Sequence, residues 1–169
     1  LINNQLLKTE TILLKLYNQY PKNVDIQNSL LEFYKISKQW IKLIDFNMEL
    51  YKNNLKQDRF VENALDMSFF TNNEHLIIDE LKDLLILNPK NQLIFESYFK
   101  LIYQKQLYND ATNTLLILID KNDDVKLKIK LAELYLLLGD FDSSKNILDN
   151  LNLKEELDEY LYNLLSITY

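Results

Sequence analysis

The sequence predicts an all-α protein built from repeated helix pairs, an α-solenoid, on the basis of three observations. Its 169 residues include one glycine and two prolines, so the positive-φ turns that tight β-hairpins require have almost no source. Hydrophobic residues make up 47% of the chain and aromatic residues 12%, which is enough apolar surface for a folded core. Prolines and aromatic residues also recur at intervals close to 34 or to twice 34, the length of a short two-helix repeat.

The intervals between these landmarks define the repeats. Pro21 and Pro89 are 68 residues apart, as are Trp40 and Tyr108, and Phe141 follows Tyr108 after 33 residues. Agreement among independent landmarks favours a true repeat over chance. The sequence therefore predicts one array over 1–169, with whole repeats at 24–57, 58–91, 92–124 and 125–158 and partial repeats at 1–23 and 159–169.

The helices are predicted in chain order from apolar spacing and polar turns. An unpaired second helix is expected at 3–18, and each whole repeat then opens with an amphipathic first helix, as Leu131, Leu134 and Leu138 illustrate. Short polar turns precede Trp40, Tyr108 and Phe141, where second helices should begin. The last predicted helix, an unpaired first helix, covers 155–169.

The segment KIKLAELYLLLGDFDSSKNIL resembles the tetratricopeptide repeat (TPR) family. Leu131, Ala132 and Tyr135 match the family's L-G-x2-Y group, and the turn from Gly139 to Phe141 resembles its usual GDY turn. Partial matches elsewhere include Trp40 with Leu43, Tyr108 with Ala111 and Leu115, Tyr162 to Tyr169, and the late prolines Pro21 and Pro89. The resemblance implies a right-handed superhelix of antiparallel helix pairs, with a concave groove that binds a peptide or helix of a partner protein.

Some repeats depart from the family pattern. Large residues, namely Leu31, Leu65 and Phe99, stand where a small residue normally lets paired helices approach closely. These pairs are expected to sit wider apart or to shift. The second repeat is degenerate around 72–77, because the aromatic residue and the alanine after its turn are missing.

The expected partner-binding residues lie on first helices and face away from the second helices. They are Asn28, Glu32, Lys35, Arg59, Glu62, Asp66, Phe69, Glu96, Lys100, Tyr103, Ile129, Glu133 and Leu136. In the TPR subfamily that grips C-terminal carboxylates, the corresponding clamp positions fall here on Asn28, Glu32, Asn63, Lys126 and Lys130, and Glu32 departs from the amide that belongs there. Phe69, Phe70 and Tyr103 are either aromatic anchors for the partner or packing residues between adjacent repeats.

Catalysis has few candidate residues. His75 is the only histidine, cysteine is absent, and no glycine-rich phosphate loop occurs, so we predict no catalytic residue, no metal and no cofactor. The net charge of −6 argues against a nucleic-acid partner. The one basic run, Lys126, Lys128 and Lys130, is interpreted as a solvated helix face beside Asp123 and Asp124.

Three classes of function remain open. The first is a non-catalytic protein-binding scaffold, and the second is a self-assembly module that stacks end to end through exposed helices, giving a homo-oligomer. The third is an accessory domain of a larger enzyme or of a secretion or assembly machine. The opening LINNQLLKTE has no signal-peptide pattern and starts with Leu, so we expect the chain to begin inside a longer protein. No apolar run is long enough for a membrane span, and the compartment stays open, with the cytoplasm slightly favoured.

Overall fold

The computed structural model describes residues 2–55, 57–151 and 166, and these residues form helices and turns without a strand. The predicted final helix at 155–169 lies outside the described residues, apart from Ser166. The helices are α1 (Ile2–Gln19), α2 (Val24–Ile36), α3 (Trp40–Leu50), α4 (Asp58–Thr71), α5 (His75–Leu87), α6 (Gln92–Lys105), α7 (Tyr108–Lys121), α8 (Val125–Leu137) and α9 (Phe141–Asn150). A π-helical segment, Tyr51–Leu55, extends α3.

The starts of these helices repeat at the predicted length. The first helices α2, α4, α6 and α8 begin at Val24, Asp58, Gln92 and Val125, at intervals of 34, 34 and 33 residues. The second helices α3, α5, α7 and α9 begin at Trp40, His75, Tyr108 and Phe141, at intervals of 35, 33 and 33 residues. The described helices therefore confirm the predicted all-α, TPR-like repeat architecture.

The chain divides into two compact units, Leu1–Glu80 and Leu81–Tyr169, which we call unit 1 and unit 2. Unit 1 contains α1 to α4 and the start of α5, and its core includes the fully buried Leu30, Ile44 and Val61. Unit 2 contains the rest of α5 and α6 to α9, and Tyr98 and Leu115 are buried in its core. Each unit thus buries apolar faces that an isolated helix would leave in water.

The turn inside every helix pair has the same backbone geometry. One residue adopts a left-handed conformation with φ between 55° and 77°, and these residues are Lys38, Asn72, Gln106 and Gly139. The backbone amide of the next residue then donates a hydrogen bond to the carbonyl oxygen five positions earlier. This is the 6→1 hydrogen bond of a Schellman motif. These bonds join Gln39 to Tyr34, Asn73 to Ser68, Leu107 to Ile102 and Asp140 to Tyr135, at 2.8 to 3.1 Å. The sequence predicted turns before Trp40, Tyr108 and Phe141 but not their left-handed geometry, because only one of the four left-handed residues is glycine.

The repeated PKN tripeptide marks a helix start. In its first copy, the Asn23 side chain caps α2 by accepting hydrogen bonds from the backbone amides of Asp25 and Ile26, at 3.0 and 3.2 Å. In the second copy, Asn91 caps α6 through the amide of Ile94, at 3.1 Å. An asparagine side-chain oxygen is a favourable hydrogen-bond acceptor for the unpaired backbone amides at a helix N-terminus. The 68-residue spacing of the prolines therefore reflects the spacing of two capped first helices.

Candidate functional site

Three consecutive helices of unit 1 line an open pocket of about 380 Å³, which we call the α2–α4 pocket. Side chains spaced along one face of α2 and one face of α4 reach it, and α3 lies between them in the chain. Its lining residues are Asn28, Leu31, Glu32, Lys35, Leu43, Asn47, Asn63, Asp66 and Met67. The pocket thus has both charged and apolar lining, as ligand sites in proteins usually have.

The floor and the rim of the pocket differ in burial. The floor comes from α3, where Leu43 is 5% exposed and Asn47 is 1% exposed. The charged rim residues Glu32, Lys35 and Asp66 are exposed. A group that enters the pocket therefore passes charged side chains first and reaches an apolar surface and one buried amide afterwards.

Asn47 is the most unusual residue of the floor. Its Nδ2 donates a hydrogen bond to the Leu43 carbonyl oxygen at 2.7 Å. Its Oδ1 is buried and has no hydrogen-bond partner among the described residues. Exchanging the amide nitrogen and oxygen would place two acceptors against each other, so the observed orientation is the favourable one. A buried acceptor without a partner costs free energy, and a bound donor would recover it.

The two carboxylates of the rim are also free of partners. Neither Glu32 nor Asp66 forms an ion pair or hydrogen bond within the described part of the chain. Two other acidic residues of unit 1 are engaged: Glu10 pairs with Lys42 at 2.6 Å, and Glu49 accepts from the Tyr17 hydroxyl at 3.0 Å. Unlike these two, the acidic side chains at the pocket are open to a ligand.

A polar cluster in unit 1 holds α2 in place from the α1 side. Burial raises the pKa of Tyr34 on α2 to about 12, and the nearby Glu10 carboxylate of α1 adds to this rise. Burial also raises the pKa of Tyr17, whose hydroxyl contacts Glu49 of α3. Because these groups join α1, α2 and α3, they keep the pocket-lining face of α2 at a fixed position.

Unit 2 has a smaller pocket of about 250 Å³ lined by α6 and α8, but two of its three charged residues, Lys130 and Glu133, are already paired. The Lys130 ammonium binds Glu133 at 2.9 Å and lies 4.8 Å from the centre of the Tyr103 ring. The Tyr103 hydroxyl donates to Glu133 Oε1. These three side chains satisfy one another, so this pocket offers a ligand fewer free polar groups than the α2–α4 pocket does.

The structure brings together only some of the predicted partner-binding residues. Asn28, Glu32, Lys35 and Asp66 line the α2–α4 pocket, whereas Arg59, Glu62 and Phe69 of the same unit do not. In unit 2, Ile129 and Glu133 line the smaller pocket and Glu96 and Lys100 are exposed. Ile129 and Leu136 also pack against the buried cluster of Ala132, Leu148 and Leu151.

The carboxylate-clamp positions fall into both units. Asn28, Glu32 and Asn63 line the pocket of unit 1, and Lys126 and Lys130 line the pocket of unit 2. Lys130 is held by Glu133. Within unit 1, the clamp positions therefore contribute two amides and one carboxylate, a set that does not favour an anion.

Two of the predicted aromatic residues, Phe70 and Tyr103, contact other aromatic rings within the fold. The Phe70 side chain is 70% exposed, yet its ring meets Trp40 edge to face at 5.8 Å. Tyr103 packs between Phe99 and Tyr108 at 6.3 and 6.2 Å. Ring pairs at such distances are favourable within a fold. The aromatic residues thus have packing roles whether or not a partner also contacts them.

The predicted partner-binding residues do not include the floor of the pocket. They lie on first helices alone, whereas Leu43 and Asn47 belong to the second helix α3. One signal was available: Asn47 interrupts an apolar stripe that also contains Leu43, Ile44 and Leu50, and all four residues are buried. A polar residue on a buried helix face requires a partner, and its position is therefore informative.

The described residues contain no group of three or more His, Cys, Asp or Glu side chains arranged to hold a metal ion. Among the described helices, none combines the length and the apolar character needed to cross a bilayer. The α2–α4 pocket is the candidate functional site.

The chain is similar to two solved TPR structures, while no protein-family model and no curated protein matches it. The first is a tetratricopeptide repeat protein from Parabacteroides merdae, with 16% identity over 98% of this chain and a TM-score of 0.48. This chain spans 65% of the length of that protein. The second is a thermophilic TPR protein from Thermus thermophilus, with 13% identity over 99% of this chain and 92% of that protein, and a TM-score of 0.49.

Proposed function

We propose that this chain is a non-catalytic protein-binding scaffold that holds a peptide or helix of a partner protein in the groove formed by its first helices. We further propose that its repeats run over 24–57, 58–91, 92–124 and 125–158. The observation that carries the proposal is the α2–α4 pocket, in which exposed charged residues surround a buried apolar floor. Pockets of this mixed character suit the side chain of a bound peptide.

Charge reversal at the pocket rim tests this function. The variant carries Glu32→Lys and Asp66→Lys, and it is used beside the parent chain to capture partners from a lysate of the source organism. Both substituted residues are exposed, so folding should be nearly unchanged, which circular dichroism and thermal unfolding verify. A partner retained by the parent and lost by the variant would support the proposal.

A matched control separates the pocket from the total charge. The control variant carries Asp83→Lys and Asp120→Lys, which make the same change in net charge at exposed positions outside the pocket. We expect it to capture the partner as the parent does. Equal losses in the two variants would indicate a nonspecific charge effect, and equal capture by all three proteins would place the site elsewhere.

A second candidate function, self-assembly, is favoured by one observation on α1. Ile12 and Leu16 lie along one stripe of this helix and Tyr20 directly follows its end, and the three residues are 60%, 37% and 58% exposed. Exposed apolar stripes often mark association surfaces. Light scattering across a range of concentrations tests this function: self-assembly predicts an oligomer that Ile12→Glu with Leu16→Glu abolishes and that Ile36→Glu, at another exposed apolar residue, leaves intact.

A further inference from the structure

From the α2–α4 pocket we infer that the partner inserts a cationic side chain, of lysine or arginine, whose head reaches Asn47. This inference rests on the proposed function and specifies the chemistry of the bound segment. Three features of the pocket carry it: an unpaired buried acceptor, two free carboxylates at the rim, and an apolar wall. Each feature restricts what can bind.

The buried acceptor requires a donor. Asn47 Oδ1 lacks a partner among the described residues, and the Leu43 carbonyl holds the amide nitrogen in place. Only an N–H or O–H group can therefore satisfy the oxygen that remains. An incoming carboxylate or carbonyl would add a second acceptor and increase the cost of burial.

The rim charges select a cation among the possible donors. Glu32 and Asp66 contribute two negative charges against one positive charge from Lys35, so the pocket carries a net charge of −1 in a chain whose net charge is −6. Because neither carboxylate has a partner in the described part of the chain, both are available to a ligand. A neutral hydroxyl or amide would satisfy Asn47 but would gain nothing from these charges.

The apolar wall suits the stem of a long basic side chain. Leu31 and Met67 line the pocket together with the floor residue Leu43. Lysine and arginine carry three or four methylene groups behind their charged heads, and these groups pack on apolar surfaces. A pocket of about 380 Å³ has room for such a side chain. The inferred chemistry is the opposite of a carboxylate clamp.

A peptide series tests the inference directly. The probe is the blocked peptide acetyl-Gly-Gly-Arg-Gly-Gly-amide, and the comparison peptides replace Arg by Lys, by the neutral isostere citrulline, or by Glu. Binding is followed by NMR through the side-chain amide signals of Asn47 and Asn63. We expect the Arg and Lys peptides to shift both signals and to bind roughly tenfold or more tightly than the citrulline peptide. Added salt should weaken this binding.

Substitutions link the binding to the named groups. Glu32→Gln and Asp66→Asn should each weaken the Arg peptide about threefold to tenfold, and Asn47→Leu should weaken it by about tenfold. Lys35→Gln should strengthen it, which a purely structural effect of substitution would not do. Asp83→Asn, at an exposed position that does not line the pocket, is the matched control and should have no effect.

Several results would overturn the inference. They are equal binding of the citrulline or Glu peptide, unchanged affinity in Glu32→Gln and Asp66→Asn, or no shift of the Asn47 amide with any peptide. Because Glu32 and Asp66 are exposed, their variants keep the test valid even if Asn47→Leu fails to fold. If the charge-reversal capture succeeds while the Arg peptide fails to bind, the scaffold function stands and only the cationic side chain is refuted.

Discussion

Gln106 and Gly139 occupy the same left-handed turn position 33 residues apart, with φ of 56° and 77°. Glycine adopts this conformation without penalty, whereas a residue with a Cβ atom loses about 1 to 2 kcal/mol there. The repeat therefore places non-glycine residues, such as Gln106, in a left-handed backbone conformation that glycine adopts more easily. A 6→1 hydrogen bond keeps each turn in this form. It joins the Leu107 amide to the Ile102 carbonyl at 3.1 Å in one turn and the Asp140 amide to the Tyr135 carbonyl at 2.8 Å in the other.

This relationship predicts opposite effects for two reciprocal substitutions. Gln106→Gly should raise the free energy of unfolding by about 0.5 to 1 kcal/mol because it removes the backbone strain. Gly139→Ala should lower it by about 1 kcal/mol through strain alone, since a Cβ atom at this position meets nothing within 4 Å. Urea unfolding measures both changes. Lys105→Gly, inside the last turn of α6, should destabilise instead, and stabilisation by all glycine substitutions would refute the geometric cause.

A buried hydroxyl pair predicts a coupled loss of stability. Tyr98 Oη lies 3.0 Å from Thr114 Oγ1, and Thr114 gives its own proton to the Asp110 carbonyl at 2.9 Å. Tyr98 is therefore the donor in this pair. Thr114→Val and Tyr98→Phe should each lower the free energy of unfolding by about 1 kcal/mol, and the double variant should lose less than the sum. The exposed Thr11→Val is the control, and full additivity would contradict the coupling.

The burial of Ala111 indicates that the side chains around it in unit 2 are closely packed. Ala111 is fully buried on α7. Ala111→Leu should therefore overpack its surroundings and lower the free energy of unfolding by about 1 to 3 kcal/mol. Thermal unfolding compares it with Asn113→Leu, which adds a leucine to the exposed surface of the same helix. Equal stability of the two variants would show that the site around Ala111 accommodates a larger side chain.

The raised pKa of Tyr34 predicts a loss of folding stability at alkaline pH. Its ordinary pKa of 10.0 is raised to about 12 in the folded chain, chiefly by burial. The folded state therefore gains from protonated Tyr34 below pH 10, and this gain is lost as the pH rises towards 12. In Tyr34→Phe, the decrease in unfolding free energy across this range should be smaller than in the parent. Tyr20→Phe, with a side chain that is 58% exposed, is the control, and identical pH profiles for the parent and Tyr34→Phe would contradict this role.

The sequence was sufficient for the helices because their signals are local. Apolar spacing and the 68-residue interval between Pro21 and Pro89 predicted where α2 begins, and the cap formed by Asn23 supplies the physical reason. His75, the only histidine of the chain, is the exposed first residue of α5. Such features depend on residues within one turn of each other, so a single sequence contains them.

The site could be predicted only in part because it depends on packing between helices. Glu32 and Asp66 followed from the face of the first helices, but the floor residue Asn47 required knowledge of how α3 lies against α2 and α4. The pairing of Tyr103 with Glu133 was likewise invisible, because these residues are distant in the chain and belong to different helices. Long-range neighbours of this kind are set by tertiary structure, which local patterns do not encode.

Site-resolved crosslinking tests the central claim, that the α2–α4 pocket binds a partner protein, most directly. The chain has no cysteine, so Asn28→Cys in the pocket and Asn18→Cys on α1 each create one labelling site for a thiol-linked photocrosslinker. Both asparagines are exposed, which makes the two variants comparable. Our account predicts that, in lysate, the probe at residue 28 crosslinks a discrete partner that the probe at residue 18 does not. Equal crosslinking from both positions, or none from residue 28, would contradict it.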